Sequence, residues 1–380
     1  MGKRMGKRIG FYVLSFLIAL SLSVVIIPTK AGAEGIEGLK FFGDARARFE
    51  KDTRTRLSSG VYQDQERDRF RYRLRAGFNY KANDNVEIGG RLSSGGTDDA
   101  NSPHVIFGSS NNSDGDTATG FTRDTVSIDK AYVKGKYLDG FLSIGKDSMP
   151  LWKQNEYFWD DDINPEGVGL GYTLKELGPL SVTLQGGYFI VDEGGWYSTD
   201  KTDGDKDLVS YQGVVKAGFD FADFVVGYGS LSSPQGVTIR SQNPVATMDA
   251  TYTLTAIQAK VKAISDIPIT VGYDLLKASG KDIDAITTSK LDSGSVLNVG
   301  ASYKDFSILF MLPDIESNAV TAFAQDDWPN YYSNFKGTEA RLGYKIAKNI
   351  NVDFRYFSGE RKTDSKQKEA RNQINFNVSF

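Results

Sequence analysis

Residues 67–80 read RDRFRYRLRAGFNY, and the fold turns on how that stretch alternates. Arg67, Arg69, Arg71, Arg73 and Arg75 take every second position, with Phe70, Tyr72, Leu74 and Ala76 filling the places between. Successive side chains of a β-strand point to opposite faces, so a repeat of two gathers five guanidinium groups on one face. A helix would spread them around every side. Two surroundings suit such a strand. A soluble sandwich hides the apolar face and leaves the arginines in bulk water, whereas a membrane barrel turns the apolar face to lipid and the arginines to a wet interior. The rest of the chain has to choose.

Working outward, the same alternation recurs. Strands are predicted over 40–49, 67–80, 86–94, 125–137, 140–147, 166–174, 180–191, 208–219, 223–231, 251–264, 268–278, 295–303, 306–312, 336–346, 350–358 and 371–380. In 295–303, Leu297, Val299, Ala301 and Tyr303 oppose Asn298 and Ser302. In 371–380, Ile374, Phe376, Val378 and Phe380 oppose Gln373, Asn375, Asn377 and Ser379. The segments 125–137 and 251–264 alternate less cleanly. Short turns at Asn83-Asp84-Asn85, Asp139-Gly140, Gly178-Pro179, Asp220, Ser265-Asp266, Lys304-Asp305 and Lys348-Asn349 trade places with long polar connections such as 50–66, 95–123 and 148–164.

An even number of strands, with short turns at one end and long loops at the other, predicts an all-β, transmembrane, antiparallel up-and-down barrel of about sixteen strands. Closure leaves no backbone edge unpaired in the bilayer. An arginine at the bilayer midplane costs about 2–4 kcal/mol, so five in a row face the lumen and the apolar row faces lipid. Phe41, Phe42, Tyr80, Tyr137, Tyr303 and Phe306, near strand ends, suit interfacial girdles.

The amino-terminus reads as an address. A basic MGKRMGKR, an apolar run from Ile9 to Ile27 and Ala31-Gly32-Ala33 predict a secretory signal over 1–33, cleaved before Glu34, and a barrel domain over 34–380. The apolar run is near the length of a spanning helix, so an uncleaved anchor is the competing reading. Losing Lys3, Arg4, Lys7, Arg8 and Lys30 takes 45 basic residues to 40 against 48 acidic, a net of −8 that opposes general nucleic-acid binding. Cysteine is absent, so no disulfide frame is expected.

Four segments look familiar: GDARARFE (43–50), RFRYRLRAGFNYKANDNVEIGGRLSSG (69–95), IDKAYVKGKY (128–137) and FWDDDINPEGVGLGYT (158–173). They resemble a bacterial outer-membrane family usually called putative porins, and more distantly phosphate-selective and general porins. The W-D-D-D-x-N-P-E-G run is the most specific part. The resemblance covers about the first half of the chain after the signal. It implies passive diffusion of small hydrophilic solutes or anions across the outer membrane, with no assigned solute and no cofactor. It also implies a homotrimer, contact with lipid and lipopolysaccharide, and recognition of the terminal Phe380 by barrel-assembly machinery.

The candidate site follows from the strand phases. Arg46, Arg48, the five arginines of 67–75, Arg91, Arg341, Lys345 and Arg355 make one basic wall, with Asp44, Glu50, Glu87, Glu339 and Asp353 as local counter-charges. General porins fold their third loop into the barrel. By that resemblance Trp152, Trp159, Asp160, Asp161 and Asp162, with Glu166 just after, are the constriction candidates. Two plainer readings compete: the aspartates cap a short helix or bind calcium at the surface, and the arginines merely brace the wall.

The remaining features carry less. His104, the sole histidine, reads as surface decoration in a polar loop, so no Ser/His enzyme is expected. Asp203, Asp205 and Asp207 mimic the start of a calcium loop, but Leu208 and Val214 stand where Gly and Glu belong. They read as a solvated outer loop. With Asp98, Asp99, Asp114 and Asp116 they put the acidic surplus outside, leaving weak anion preference in the narrow part. The alternative function is a barrel that sheathes a partner complex or serves as its receptor or adhesin, with no open pore.

Overall fold

Alternation carries the strands further than their apolar residues do. The computed structural model describes residues 36–96, 102–108, 124–192, 206–233, 250–262, 267–280, 291–321, 323–324, 327–328 and 333–380. Residues 40–380 form one unit and 1–39 another, of which only 36–39 are described. The expected signal over 1–33 therefore lies outside the described residues, as do the turn at Ser265-Asp266 and Asp98, Asp99, Asp114, Asp116, Asp203 and Asp205.

The strands are β1 (Leu39–Ser58), β2 (Val61–Lys81), β3 (Val86–Ser94), β4 (Val105–Ile106), β5 (Val126–Tyr137) and β6 (Gly140–Lys146). There follow β7 (Glu166–Leu177), β8 (Leu180–Asp192), β9 (Lys206–Gly218), β10 (Ala222–Ser233), β11 (Ala250–Val261) and β12 (Ile269–Ser279). The last are β13 (Ser293–Tyr303), β14 (Phe306–Ile315), β15 (Phe335–Ala347), β16 (Ile350–Arg361) and β17 (Asp364–Ser379). All but the two-residue β4 are staves of a closed antiparallel barrel of sixteen long strands. β17 returns to β1 in a register running from Asp44↔Ser379 to Arg54↔Glu369. Phe380 completes the seam by exchanging backbone hydrogen bonds with Gly43 at 3.0 and 3.1 Å.

Two expected loops are strand. Residues 50–66 continue β1 and β2 around a two-residue turn, Ser59-Gly60, in which both φ angles are positive (49° and 79°) as a tight hairpin requires. Most of 359–370 belongs to β16 and β17. Apart from Leu57, Val61 and Tyr62, both hairpin tips are charged or polar on both faces, the composition of strands standing in water, so no apolar alternation announces them.

Outside, Leu74, Leu142, Leu170, Leu184, Ile308 and Leu342 stand about half exposed, in phase with one another. Phe41 and Tyr137 are 75% exposed near the tight turns. Phe42 is a correction: one position from Phe41, it takes the opposite face and lies over Gly77 inside. The untidy phase of β5 also has a cause. A bulge opposite Arg91 and Leu92 shifts the register at Asp129, which turns its carboxylate to Arg91.

Inside, the barrel is unequal. The inner faces of β8 to β16 carry apolar residues at the loop end, among them Phe189, Leu231, Leu254, Leu276, Val296, Met311, Phe335 and Phe357, all nearly inaccessible. Two connections fold inward to cover them, 147–165 and the described part of 316–334. A lumen filled only with water would leave that apolar surface wet, at about 25 cal/mol per Å². The inner faces of β1 to β3 and β17, and of β15 and β16 nearer the tight turns, hold the arginines.

Candidate functional site

The 147–165 loop is pinned to the wall facing the arginines. Trp152 donates its backbone N–H to Gln212 Oε1 (2.6 Å) and accepts at its carbonyl from Gln212 Nε2 (2.7 Å). Its ring lies against Gly227, where a Cβ would come within 2.7 Å of it. Gln154 and Asn155 both donate to Asp274 at 2.5 Å, and Tyr157 donates its hydroxyl to the buried Glu339 at 2.6 Å. The second loop locks the first. Trp328 donates Nε1–H to the Tyr157 oxygen (2.8 Å), Trp159 and Phe323 rings meet at 4.9 Å, and Asp160 N–H donates to the Phe323 carbonyl at 2.7 Å.

Anchored so, the loop turns its acids toward the arginine wall. Asp162 lies 2.8 Å from Arg75 and 3.6 Å from Arg73, both of which also hold Asp44 at 2.7 and 2.8 Å. Asp160 spends its carboxylate on the Asp162 backbone N–H (2.8 Å), forming the turn itself. Asp161 is exposed and pairs with Lys153 at 2.6 Å. Glu156 approaches Arg341 at 3.8 Å, and Arg341 also pairs with Glu339.

Between loop and wall lies a polar cavity of about 460 Å³. Arg46, Arg48, Arg73, Arg75, Arg91, Lys130, Arg341 and Arg355 line it against Glu156, Asp160, Asp161, Asp162 and Asp327, eight cations facing five carboxylates. A second cavity of about 450 Å³ shares Arg341 and Arg355 and runs to Ser302, Ser307 and Pro268 at the tight-turn end.

The remaining predicted residues fall elsewhere. Arg67 is half exposed and pairs with Asp52 at 2.7 Å, and Arg69 pairs with Glu50. Arg71 stands behind the cavity, donating to Ser102 Oγ at 2.7 Å with Glu50 at 3.6 Å. These three belong to a bracing tier, because the carboxylates of β1 stand across from them and Arg371 of β17 joins at 2.7 Å from Asp52. Trp152 and Trp159 are anchors and do not line the cavity. Glu166 is a further correction. It shares the outward phase of Leu170 and Tyr172 and pairs with Lys146 at 2.7 Å on the exterior.

Sequence reading missed three contributors. Asp327, from the second loop, lies 3.3 Å from Arg48 and 2.9 Å from Arg355. Burial pushes its carboxyl up, but Arg48 and Arg355 outweigh that and hold it well below the usual range. Lys130 lines the cavity, 3.5 Å from Asp147. His104 is not surface decoration but lines the cavity, with Nε2 buried. It gets there because β4 pairs with β2, Arg71↔Ile106 and Tyr72↔Val105, drawing residues 102–106 over the rim.

Residues 44–222 match the family described as "Putative porin". No curated protein sequence matches the chain at a significant level. Among solved structures the chain is similar to OprB of Pseudomonas putida, with 11% identity, 90% of this chain and 94% of that one covered, and a TM-score of 0.57. It is more loosely similar to OmpF of Salmonella typhi (15% identity, 90% and 97% covered, TM-score 0.48). The outer membrane channel DcaP of Acinetobacter baumannii stands at a like distance (13%, 90% and 97%, 0.48). At such identities the likeness is one of fold.

Proposed function

We propose, from the match of residues 44–222 to the putative porin family, that the protein is an outer-membrane channel for passive diffusion of small hydrophilic solutes, weakly preferring anions. The observation that carries this reading is a pair of cavities with Arg341 and Arg355 in both linings, one beside the folded-in loop and one reaching Ser302, Ser307 and Pro268 at the tight-turn end. Facing charged walls select ions through the field between them, and low-dielectric surroundings focus that field. The excess of cations over carboxylates around the cavity supports the sign. The same reading takes residues 1–33 as a cleaved export signal, the terminal Phe380 as the mark for barrel assembly, and the assembled state as a homotrimer that cross-linking of intact membranes would capture.

Conductance of purified protein in a planar bilayer tests it. Stable steps, with a reversal potential of the anion-selective sign in a salt gradient, are expected. Protein that inserts yet never opens would sink the channel reading and favour the sheath or receptor. Opening with cation selectivity would sink only the assignment of sign.

A further inference from the structure

The arginines of the wall are not held alike. Most face carboxylates, which orient and neutralise them together. Arg46 and Arg48 of β1 instead stand directly across from Asn377 and Asn375 of β17. Each guanidinium donates Nε–H to the amide oxygen of its asparagine at 2.6 Å. An amide fixes the direction of a guanidinium but leaves its charge whole. Arg48 has Asp327 and Glu50 nearby as well, at 3.3 and 3.9 Å. Among the described residues Arg46 has no carboxylate within ion-pair distance, and it lines the cavity.

His104 lines that same cavity, brought in from the second long connection, with Nε2 buried and, among the described residues, without a hydrogen-bond partner. Burial first, then the charges of Arg48, Arg71, Arg46 and Arg73, hold its imidazole well below the usual range, so it stays neutral. Four guanidinium groups thus converge on one neutral ring. A buried polar nitrogen left without a partner is costly, and a bound ligand atom would relieve that cost.

We infer that Arg46, Arg48, Arg73 and His104 form a subsite for a compact oxyanion, a carboxylate or a phosphate, with Asn377 and Asn375 positioning the two arginines. The anion's oxygens take the terminal N–H groups of Arg46 in charge-assisted bonds, and the proposal puts the proton of the neutral His104 ring on Nε2 so that it donates too, in a site pre-set by its asparagines. This deepens the channel reading, since the subsite lies on the passage it proposes, and its conductance arm rests on that reading.

The test adds inorganic phosphate or acetate to chloride solutions during single-channel recording, and measures the heat of binding of each anion to the detergent-solubilised protein. Block at a low concentration is expected for one or both, and the comparison tells phosphate from carboxylate. Arg46→Gln should raise the half-blocking concentration about tenfold, the loss of one charge-assisted bond. Asn377→Asp should do the same by pairing Arg46; because Asn377 Nδ2 also donates to Asp353 at 2.7 Å, heat-modifiable migration on a gel checks that this variant still folds. His104→Gln should raise it about threefold, as for a neutral bond. Glu166→Gln, on the exterior, should leave block and conductance alone. Steady current that neither anion blocks, with no heat of binding, overturns the subsite and spares the channel. Binding weakened by these variants in a protein that never conducts keeps the subsite and loses the channel. Block that survives both Arg46→Gln and Asn377→Asp overturns the assignment.

Discussion

Asp160, Asp161 and Asp162 are neighbours in sequence with three different tasks. Asp162 offers its carboxylate to the wall, where it lies against Arg73 and Arg75. Asp162→Asn should therefore deepen anion preference, while Asp161→Asn, altering an exposed pair with Lys153, should scarcely move it. Reversal potentials of the two variants decide this, and an equal shift in both would refute it. Arg73→Ser with Arg75→Ser should swing selectivity toward cations. Both residues line the cavity, whereas Arg71 stands behind it on Ser102. The resemblance to general porins led us to expect the acidic loop opposite the arginine row. Which acid meets which arginine was not legible, because it depends on a turn closed by Asp160's own carboxylate.

At the scale of elements, the interlocked loops decide how wide the passage stays. Trp328 meets the Phe335 ring at 4.5 Å with the planes tilted by 39°, meets Phe357 edge-on at 5.6 Å, and donates to Tyr157, which in turn holds Glu339 of β15. Removing a buried aromatic of this kind costs about 3–5 kcal/mol. Trp328→Ala should lower the temperature at which the folded band shifts on a gel and make the open-channel current noisier. An unchanged shift temperature with a quiet current would mean that the second loop does not hold the first. This plug left only a trace in the sequence. The 251–264 segment alternates poorly because Leu254 and Ala256 of β11, at inward positions where polar residues would be expected, pack beneath the loops. Residues 316–334 follow no strand or helix period, so their burial could not be read beforehand.

At the scale of the molecule, the staves were legible because lipid imposes the alternation: an apolar row outside and a polar row inside leave a period of two wherever the wall spans. Where water bathes both faces, as in the β1–β2 and β16–β17 hairpins, the constraint lapses and strand passes for loop. The global charge misleads in the same way. A net of −8 after removal of the signal says nothing of the cavity, where cations outnumber carboxylates.

That local balance is itself set by pH. Burial pushes Glu156 above the usual carboxylate range, with Asp327 adding to the rise while Arg341, Lys153 and Arg355 work against it. Asp327 is held well below the range and His104 well below that of an imidazole, each by the arginines around it acting with or against burial. Acidification therefore protonates Glu156 ahead of the ordinary carboxylates. Asp327 stays charged and His104 stays neutral. The cavity loses one negative charge and gains none, so the reversal potential should move further toward anions as acid is added. Because the raised value means that folding favours the protonated form, this group gives no acid destabilisation, and the barrel should stay folded as it protonates. Glu156→Gln should show the acid-shifted potential already at neutral pH and stay flat on acidification. A wild-type potential that does not move, or a shift that persists in Glu156→Gln, would remove Glu156 from the conducting path.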